Sequence, residues 1–245
     1  MSQPAILLTR PEEGARRFAA RLRAAIGDAA EIIISPVLEL VPTGARPDMA
    51  GDPVPVFSSR HGVAFCGLTG PGRCFTVGAA TAEAARDAGF APLSADADVE
   101  ALLALILSDP PARPLIHLRG SPSAGDLVAR LNAAGLSARD CVVYRQAPRP
   151  LTGAACALVQ GDRPVIVPLF SPASAACLVD QLRQLPGPLA PLRLIAISQN
   201  AADAAAALAS GRITVAARPD MPSMLACVQA QFAATVTLET PQQSL

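Results

Sequence analysis

The chain contains no lysine and no tryptophan, one tyrosine, two histidines and only 3% aromatic residues. Each shortage closes a class of function. Without lysine there is no Schiff-base nucleophile, no pyridoxal phosphate anchor and no P-loop cation. Twenty basic residues, all arginine, balance 20 acidic ones. With no net positive charge and few aromatics, binding to nucleic acid is not expected. His61 and His117 are too few for a convincing zinc site, and neither metal nor cofactor is expected. The six cysteines, Cys66, Cys74, Cys141, Cys156, Cys177 and Cys227, form no C-x-x-C pair and read as buried, reduced thiols. No apolar run approaches the ~20 residues that span a bilayer. The opening Met1-Ser2-Gln3-Pro4 lacks the basic start of a secretion signal, so a cytoplasmic protein with no membrane partner is expected. Catalytic signatures are absent as well: no G-x-G-x-x-G after a strand, no Walker loop and no G-x-S-x-G elbow.

What is present is apolar sequence. Hydrophobic residues make up 51% of the 245 positions and charged ones 16%, enough for one large core or two ordinary ones. Short apolar runs alternate with helix-like stretches, the pattern of βα units and parallel sheets. Strands are predicted at Ala5–Thr9, Glu31–Ile34, Val54–Ser58, Cys74–Val77, Leu115–Leu118, Cys141–Tyr144, Pro164–Phe170 and Leu192–Ile197. Helices are predicted from Pro11 to about Ile26, over Ser121–Ala134 and after the strands at 54 and 74. Thr237–Leu245 reads as a loose polar tail.

Segments repeat in order. Leu8-Thr9-Arg10-Pro11, before a helix with Ala20-Arg21-Leu22, is echoed about 110 residues later by Leu118-Arg119-Gly120-Ser121, before Ala129-Arg130-Leu131. Phe57-Ser58-Ser59-Arg60 returns as Leu169-Phe170-Ser171-Pro172, and Val77-Gly78-Ala79-Ala80-Thr81-Ala82 as Ile197-Ser198-Gln199-Asn200-Ala201-Ala202. Val99-Glu100-Ala101-Leu102-Leu103 matches Met221-Pro222-Ser223-Met224-Leu225. The extended runs after Ser35 and after Tyr144 can pair as an antiparallel ribbon. The expected fold class is therefore α/β: two similar parallel-sheet domains, flavodoxin-like and three-layered, joined by a two-stranded β-ribbon near 36–41 and 143–148. Domain 1 is discontinuous, residues 1–36 plus 149–245, and domain 2 covers 37–148. A thin ribbon favours hinge motion about a cleft.

Ligands of open α/β sheets bind beyond the carboxyl ends of the strands. There the sequence offers Arg10, Ser58, Ser59, Arg60, Gly78, Ala79, Ala80, Thr81, Arg119, Gly120, Ser171, Ser174, Ser198 and Asn200. Free amides at helix starts contribute about 0.3–1 kcal/mol each toward an anion. Several together can reach micromolar affinity, about 8 kcal/mol, for a ligand with many carboxylates. The plainer alternative is that these Ser and Gly residues only cap helices and turn the chain. His117 is expected as a core or edge residue, and His61 as a possible cleft residue. Tyr144, at the exit of the second domain, is placed either facing the cleft or as a half-buried strand aromatic.

Over about residues 5–232 the chain resembles the uroporphyrinogen-III synthases. Ile6-Leu7-Leu8-Thr9-Arg10-Pro11 is similar to their first strand. Val56-Phe57-Ser58-Ser59-Arg60-His61-Gly62-Val63 is similar to their Thr-Ser-x-x-x-Val segment, and Val77–Ala82 to their Val-Gly-x-x-Thr-Ala turn. Leu118-Arg119-Gly120, Val142-Val143-Tyr144 and Phe170-Ser171-Pro172 resemble later landmarks in the family's order. The resemblance implies a cofactor-free hydro-lyase that turns hydroxymethylbilane, a linear tetrapyrrole polycarboxylate, into uroporphyrinogen III with loss of water and inversion of ring D. It implies an azafulvene, then a spiro intermediate that fragments and recloses, with Tyr144 as the candidate catalytic residue and the strand-end loops as carboxylate anchors. Phe170 stands where many relatives have Thr, and Ser198–Ala202 loses both Gly and Thr of the second turn. The alternatives are a two-lobed small-molecule binder and a tetrapyrrole-binding relative without activity. A monomer is expected.

Overall fold

The computed structural model describes residues 3–27, 30–122, 125–208 and 213–238. Met1-Ser2 and positions 239–245 of the polar tail lie outside the described residues, as do the side chains of 237 and 238. In chain order the elements begin β1 (Ala5–Leu8), α1 (Glu12–Ile26), β2 (Ile32–Ile34), β3 (Leu38–Pro42), β4 (Val54–Phe57), α2 (Arg60–Phe65) and β5 (Arg73–Thr76). There follow α3 (Ala79–Asp87), β6 (Ala91–Ser94), α4 (Val99–Ser108), β7 (Leu115–Ser121), α5 (Leu127–Ala133) and β8 (Ala138–Pro148). The chain continues with α6 (Gly153–Val159), β9 (Val165–Leu169), α7 (Pro172–Arg183), β10 (Leu192–Ala196), α8 (Gln199–Ala205), β11 (Thr214–Val215) and α9 (Met221–Leu238).

The chain is mixed α/β and divides into two compact units, Met1–Glu39 with Pro148–Leu245, and Leu40–Ala147. In the first, a five-stranded sheet runs β11-β10-β9-β1-β2, and every pairing is parallel. Parallel strands are covered on both faces, so β1 reads Ala-Ile-Leu-Leu without a polar residue and is buried throughout. Ala5, Leu7, Val165, Val167, Leu194 and Ala196 face α6, α7 and α8. Ile6, Leu8, Ile166 and Ile195 face α1 and α9. Phe18 and Leu22 of α1 are at most 1% exposed, each contributing about 1.5–3 kcal/mol of apolar burial. The same helix starts after Pro11 with Glu12 and Glu13 in its first turn and Arg23 in its last, an arrangement that suits the helix dipole.

The second unit holds a sheet in the order β3-β8-β7-β4-β5-β6, in which β8, β7, β4, β5 and β6 are parallel neighbours. Val54, Val56, Phe75 and Leu115 pack on α4 and α5, while Phe57, Cys74, Ile116, Leu118 and Val143 pack on α2 and α3. Matching β9, β10, β11, β1 and β2 to β4, β5, β6, β7 and β8 makes the two strand orders identical. The sequence echoes fall on this match, with the second unit's order entered at a different strand. Between β3 and β8 the Arg149 amide donates to Val37 O at 2.8 Å and the Thr43 amide to Val143 O at 3.1 Å. The bonds advance six residues on one segment and retreat six on the other, so these segments run antiparallel.

Three expectations need correction. The strand predicted at Leu115–Leu118 runs to Ser121, because β7 stays paired with β8 as far as Ser121 opposite Arg145, across a one-residue register shift between Arg119 and Gly120. Pro122, which has no amide to donate, follows its end. Arg119 and Gly120 are thus strand residues and not a loop before a helix. The helix predicted from Ser121 begins at Leu127 after Asp126. Tyr144 lies inside the 11-residue β8, near the end of the second unit at Ala147. Two strands escaped the sequence pattern, because β6 reads Ala-Pro-Leu-Ser with alternating exposed positions and β11 has two exposed residues.

Gly62 lets α2 lie on β7: a Cβ there would sit 2.4 Å from Leu118 O. Gly62→Ala is expected to destabilise the chain by about 1–3 kcal/mol, the usual cost of overpacking. Urea unfolding measures this, and an unchanged midpoint would refute the close approach.

Candidate active site

A strand order that reverses sends its connections to opposite faces of the sheet and leaves a crevice beyond the strand ends. The reversal falls between β4 and β7 in one unit and between β1 and β9 in the other. Many of the residues singled out in the sequence gather at these two places.

At the β4–β7 reversal, Ser58 and Ser59 leave the carboxyl end of β4 half-buried. Ser59 caps α2, its Oγ accepting from the amides of His61 at 3.1 Å and Gly62 at 3.3 Å. The same oxygen lies 2.9 Å from the Tyr144 hydroxyl. Tyr144 is paired with Gly120 across β7 and β8, and a Cβ on Gly120 would meet the tyrosine ring at 2.3–2.8 Å. Only glycine admits the ring there. Phe65 and His61 flank it, with ring centroids 5.5 Å and 5.9 Å away. Ser58 Oγ lies 2.9 Å from Nε2 of His117, a histidine that is 6% exposed. Burial, with Arg119 nearby, drives its pKa down to about 4, so it stays neutral at physiological pH and acts as a polar prop.

Arg119 donates through Nε to Asp140 at 2.6 Å and through a terminal nitrogen to Gly120 O at 3.2 Å. Its charge is therefore met within the protein. Arg60 is exposed in the first turn of α2. Gly78 caps α3 without a side chain, leaving the first-turn amides of Ala79 and Ala80 at exposed positions. Thr81, 7% exposed, is mostly buried.

At the β1–β9 reversal the arrangement is cationic. The Arg10 guanidinium lies 4.2 Å above the centroid of the Phe170 ring. Phe170 in turn meets Phe18 edge-on at 4.9 Å. One terminal nitrogen of Arg10 touches Met221 Sδ at 3.3 Å, and its Nε is buried with no acceptor. Gly14 makes room, since a Cβ there would come within 2.7 Å of that nitrogen. Burial, with Arg17 adding repulsion, pulls the guanidinium below its ordinary pKa. Among the described residues no carboxylate pairs with it. A half-buried cation without a counter-ion is costly unless a ligand supplies one.

The serines of this unit behave differently from one another. Ser171 caps α7 by accepting from the Ser174 amide at 3.2 Å. Ser174 is 2% exposed and its hydroxyl is turned to Ser171 O at 3.1 Å, so as it stands it cannot reach a ligand. Ser198 caps α8 through the Ala201 amide at 3.4 Å, and Asn200 is exposed beside it. Capping was the plainer alternative for such residues, and it holds for Ser59, Ser171 and Ser198. A capping hydroxyl still keeps a proton to donate.

Sequence reasoning missed the part played by Phe170, Gly14 and Gly120. Gly14, four residues after Arg10 on the following helix, was a readable signal; the stacking of Phe170 was not. Thiol chemistry finds no support. Burial pushes the Cys74 thiol up to about 12 and also raises Cys66. Among the described residues no three His, Cys, Asp or Glu side chains gather as a metal site, and no helix is long and apolar enough to cross a membrane.

Residues 17–226 match the family described as uroporphyrinogen-III synthase HemD. The chain belongs to the uroporphyrinogen-III synthase family. No curated protein matches it. Its fold is similar to a solved uroporphyrinogen-III synthetase from Helicobacter pylori, with a TM-score of 0.59 at 13% identity over 94% of this chain and 100% of that one. A mutant uroporphyrinogen III synthase from the extremely thermophilic bacterium Thermus thermophilus aligns at 15% identity over 96% and 100%, with a TM-score of 0.43. Family membership places the chain in tetrapyrrole biosynthesis, in a lyase family whose substrate is a tetrapyrrole. The matched stretch contains Ser58, Ser59, Tyr144 and Phe170 and begins after Arg10.

His117 makes stability depend on pH. The unfolded histidine binds a proton near pH 6.5 and the folded one only near 4. The unfolded state therefore holds more protons between these values, and stability is lost as pH falls through that window, by about 2 kcal/mol at pH 5. Urea unfolding at pH 7 and 5 should show His117→Gln losing less than the native chain on acidification. An equal loss in both would mean that the imidazole is not held neutral.

Proposed function

We propose that this chain is an active uroporphyrinogen-III synthase, a hydro-lyase that cyclises hydroxymethylbilane to uroporphyrinogen III with inversion of ring D. We further infer two flavodoxin-like, three-layer domains, residues 1–36 plus 149–245 and 37–148, joined by a two-stranded ribbon. The strand orders and the antiparallel bonds of β3 and β8 support that layout.

The observation that carries the reading is the position of the one tyrosine at a strand-order reversal, tied to a capping serine and flanked by Phe65 and His61. The substrate is an activated bilane that closes without help to the wrong isomer. What the protein must add is geometry, a proton for the departing hydroxyl and exclusion of the competing closure. The Tyr144 hydroxyl donates to that leaving oxygen, which departs as water, a contribution on the order of 10²–10⁴-fold. The azafulvene left behind is attacked by the last ring, the spiro intermediate fragments and recloses, and the proton lost from the last ring as its aromaticity returns restores the phenol.

Acetate and propionate groups are held by Ser58, Arg60 and the Gly78–Ala80 amides in one unit, and by Arg10, Ser171, Ser198 and Asn200 in the other; Ser59 is engaged by Tyr144 and two amides, and Thr81 is buried. Ser174 drops out of the set for want of exposure. Arg119 shapes the site through Asp140 rather than by net charge, and Gly120 seats the tyrosine. Phe170 replaces the hydroxyl that many relatives carry, and in exchange it supports the Arg10 guanidinium.

Fresh hydroxymethylbilane should give an excess of the type III isomer over buffer alone when products are separated by chromatography. A product ratio equal to that of buffer would end the reading. Tyr144→Phe should cut turnover by at least about tenfold while changing stability by less than about 1.5 kcal/mol, the scale of one hydrogen bond. Arg10→Leu should raise KM several-fold yet cost no more than about 1 kcal/mol of stability, since it loses a cation–π contact and sheds a half-buried charge. An unaltered KM would remove Arg10 from substrate binding.

A further inference from the structure

We propose that Ser59 is a positioning residue that fixes the direction in which Tyr144 donates its proton, an inference that rests on Tyr144 acting as donor in the reaction above. A serine hydroxyl has one proton and two lone pairs. Ser59 Oγ accepts from the His61 amide at 3.1 Å and from the Gly62 amide at 3.3 Å, the latter shared with Ser59 O at 3.0 Å, and these two bonds occupy its lone pairs. Its contact with Tyr144 at 2.9 Å must then use its only proton. Ser59 donates and the phenol oxygen accepts. The Tyr144 proton cannot point back at Ser59, and among the described residues the phenol has no other hydrogen-bond partner. It is aimed outward, available to a substrate oxygen.

The ring has little freedom to escape this arrangement. Gly120 lies against three of its atoms, and Phe65 and His61 flank it. The helix cap and the tyrosine orientation are therefore one device: α2 recruits the serine lone pairs, and that recruitment sets the polarity of the next bond.

Substitutions at position 59 separate capping from orientation. Asp caps a helix as well as Ser does but has no proton to donate when ionised, so Ser59→Asp keeps α2 and turns the phenol proton inward. Ser59→Thr keeps both functions, and Ser59→Ala loses both. On the full chain with hydroxymethylbilane, Ser59→Thr should recover most of the turnover, while Ser59→Asp and Ser59→Ala should lower kcat by at least about tenfold. On a Tyr144→Phe background the changes at 59 should cost no further kcat. The single tyrosine supplies a readout that needs no activity, because its Raman Fermi doublet distinguishes an accepting phenol from a donating one. It should read as an acceptor in the native chain and in Ser59→Thr, and as a donor in Ser59→Asp. A Ser59→Asp chain with native kcat and an unmoved doublet would overturn the proposal while leaving synthase activity standing. A native chain that forms no excess of the type III isomer would end the synthase reading, and the doublet would still decide whether Ser59 orients Tyr144.

Discussion

Burial of the parallel sheets on both faces is the constraint from which the rest follows. Each sheet lies between two layers of apolar side chains, so its central strands have little room for polar chemistry along their length. Polar groups are admitted at the strand ends, where connections leave and helices begin with unpaired amides. The reversal of strand order then selects which ends matter. In one unit it brings together Ser58, Ser59, Gly120 and Tyr144, and in the other Arg10, Phe170 and Ser171. A chain with few strong catalytic side chains can still build a site in this way, because the fold supplies direction and desolvation.

The two reversals use different physics. Around Tyr144 lie a capping serine, a histidine held uncharged by burial, and an arginine whose charge Asp140 meets. At the other reversal the Arg10 guanidinium lies on an aromatic face, and among the described residues no carboxylate pairs with it and its buried Nε has no acceptor. The division also explains why so little was visible as a motif. Hydroxyls, glycines and one phenol are common residues, and their chemistry here lies in which lone pair faces which proton.

Much of the architecture was legible in the chain. The apolar runs at Ala5–Leu8, Val54–Phe57 and Val165–Leu169 are strands for the reason the pattern gave, because only buried parallel strands tolerate uninterrupted apolar sequence. The ordered echoes, such as Phe57-Ser58-Ser59 with Leu169-Phe170-Ser171, fall on strands that occupy equivalent places in the two sheets. The failures are equally instructive. Ser121–Ala134 looked helical from its composition, but the pairing of β7 with β8 holds the chain extended through Ser121, and strand partners outrank local propensity. Ser174 read as a ligand residue from its place near a helix start, yet it faces inward and satisfies Ser171. Spacing along a chain cannot report which way a hydroxyl turns.

The sequence alone determined the alternation of strand and helix, the lack of lysine, the duplication, and the membership of Tyr144 and the strand-end serines in one small set of candidates. Those properties depend on residue type and period, which are local. Tertiary structure alone decided that Gly120 sits beneath Tyr144, that Ser59 meets the Tyr144 hydroxyl, that His117 supports Ser58 and that Phe170 carries Arg10. Each of these joins residues between 24 and 160 positions apart. Only the packing of strands and helices brings such groups within a few ångströms, and at that range hydrogen-bond direction and desolvation set the chemistry.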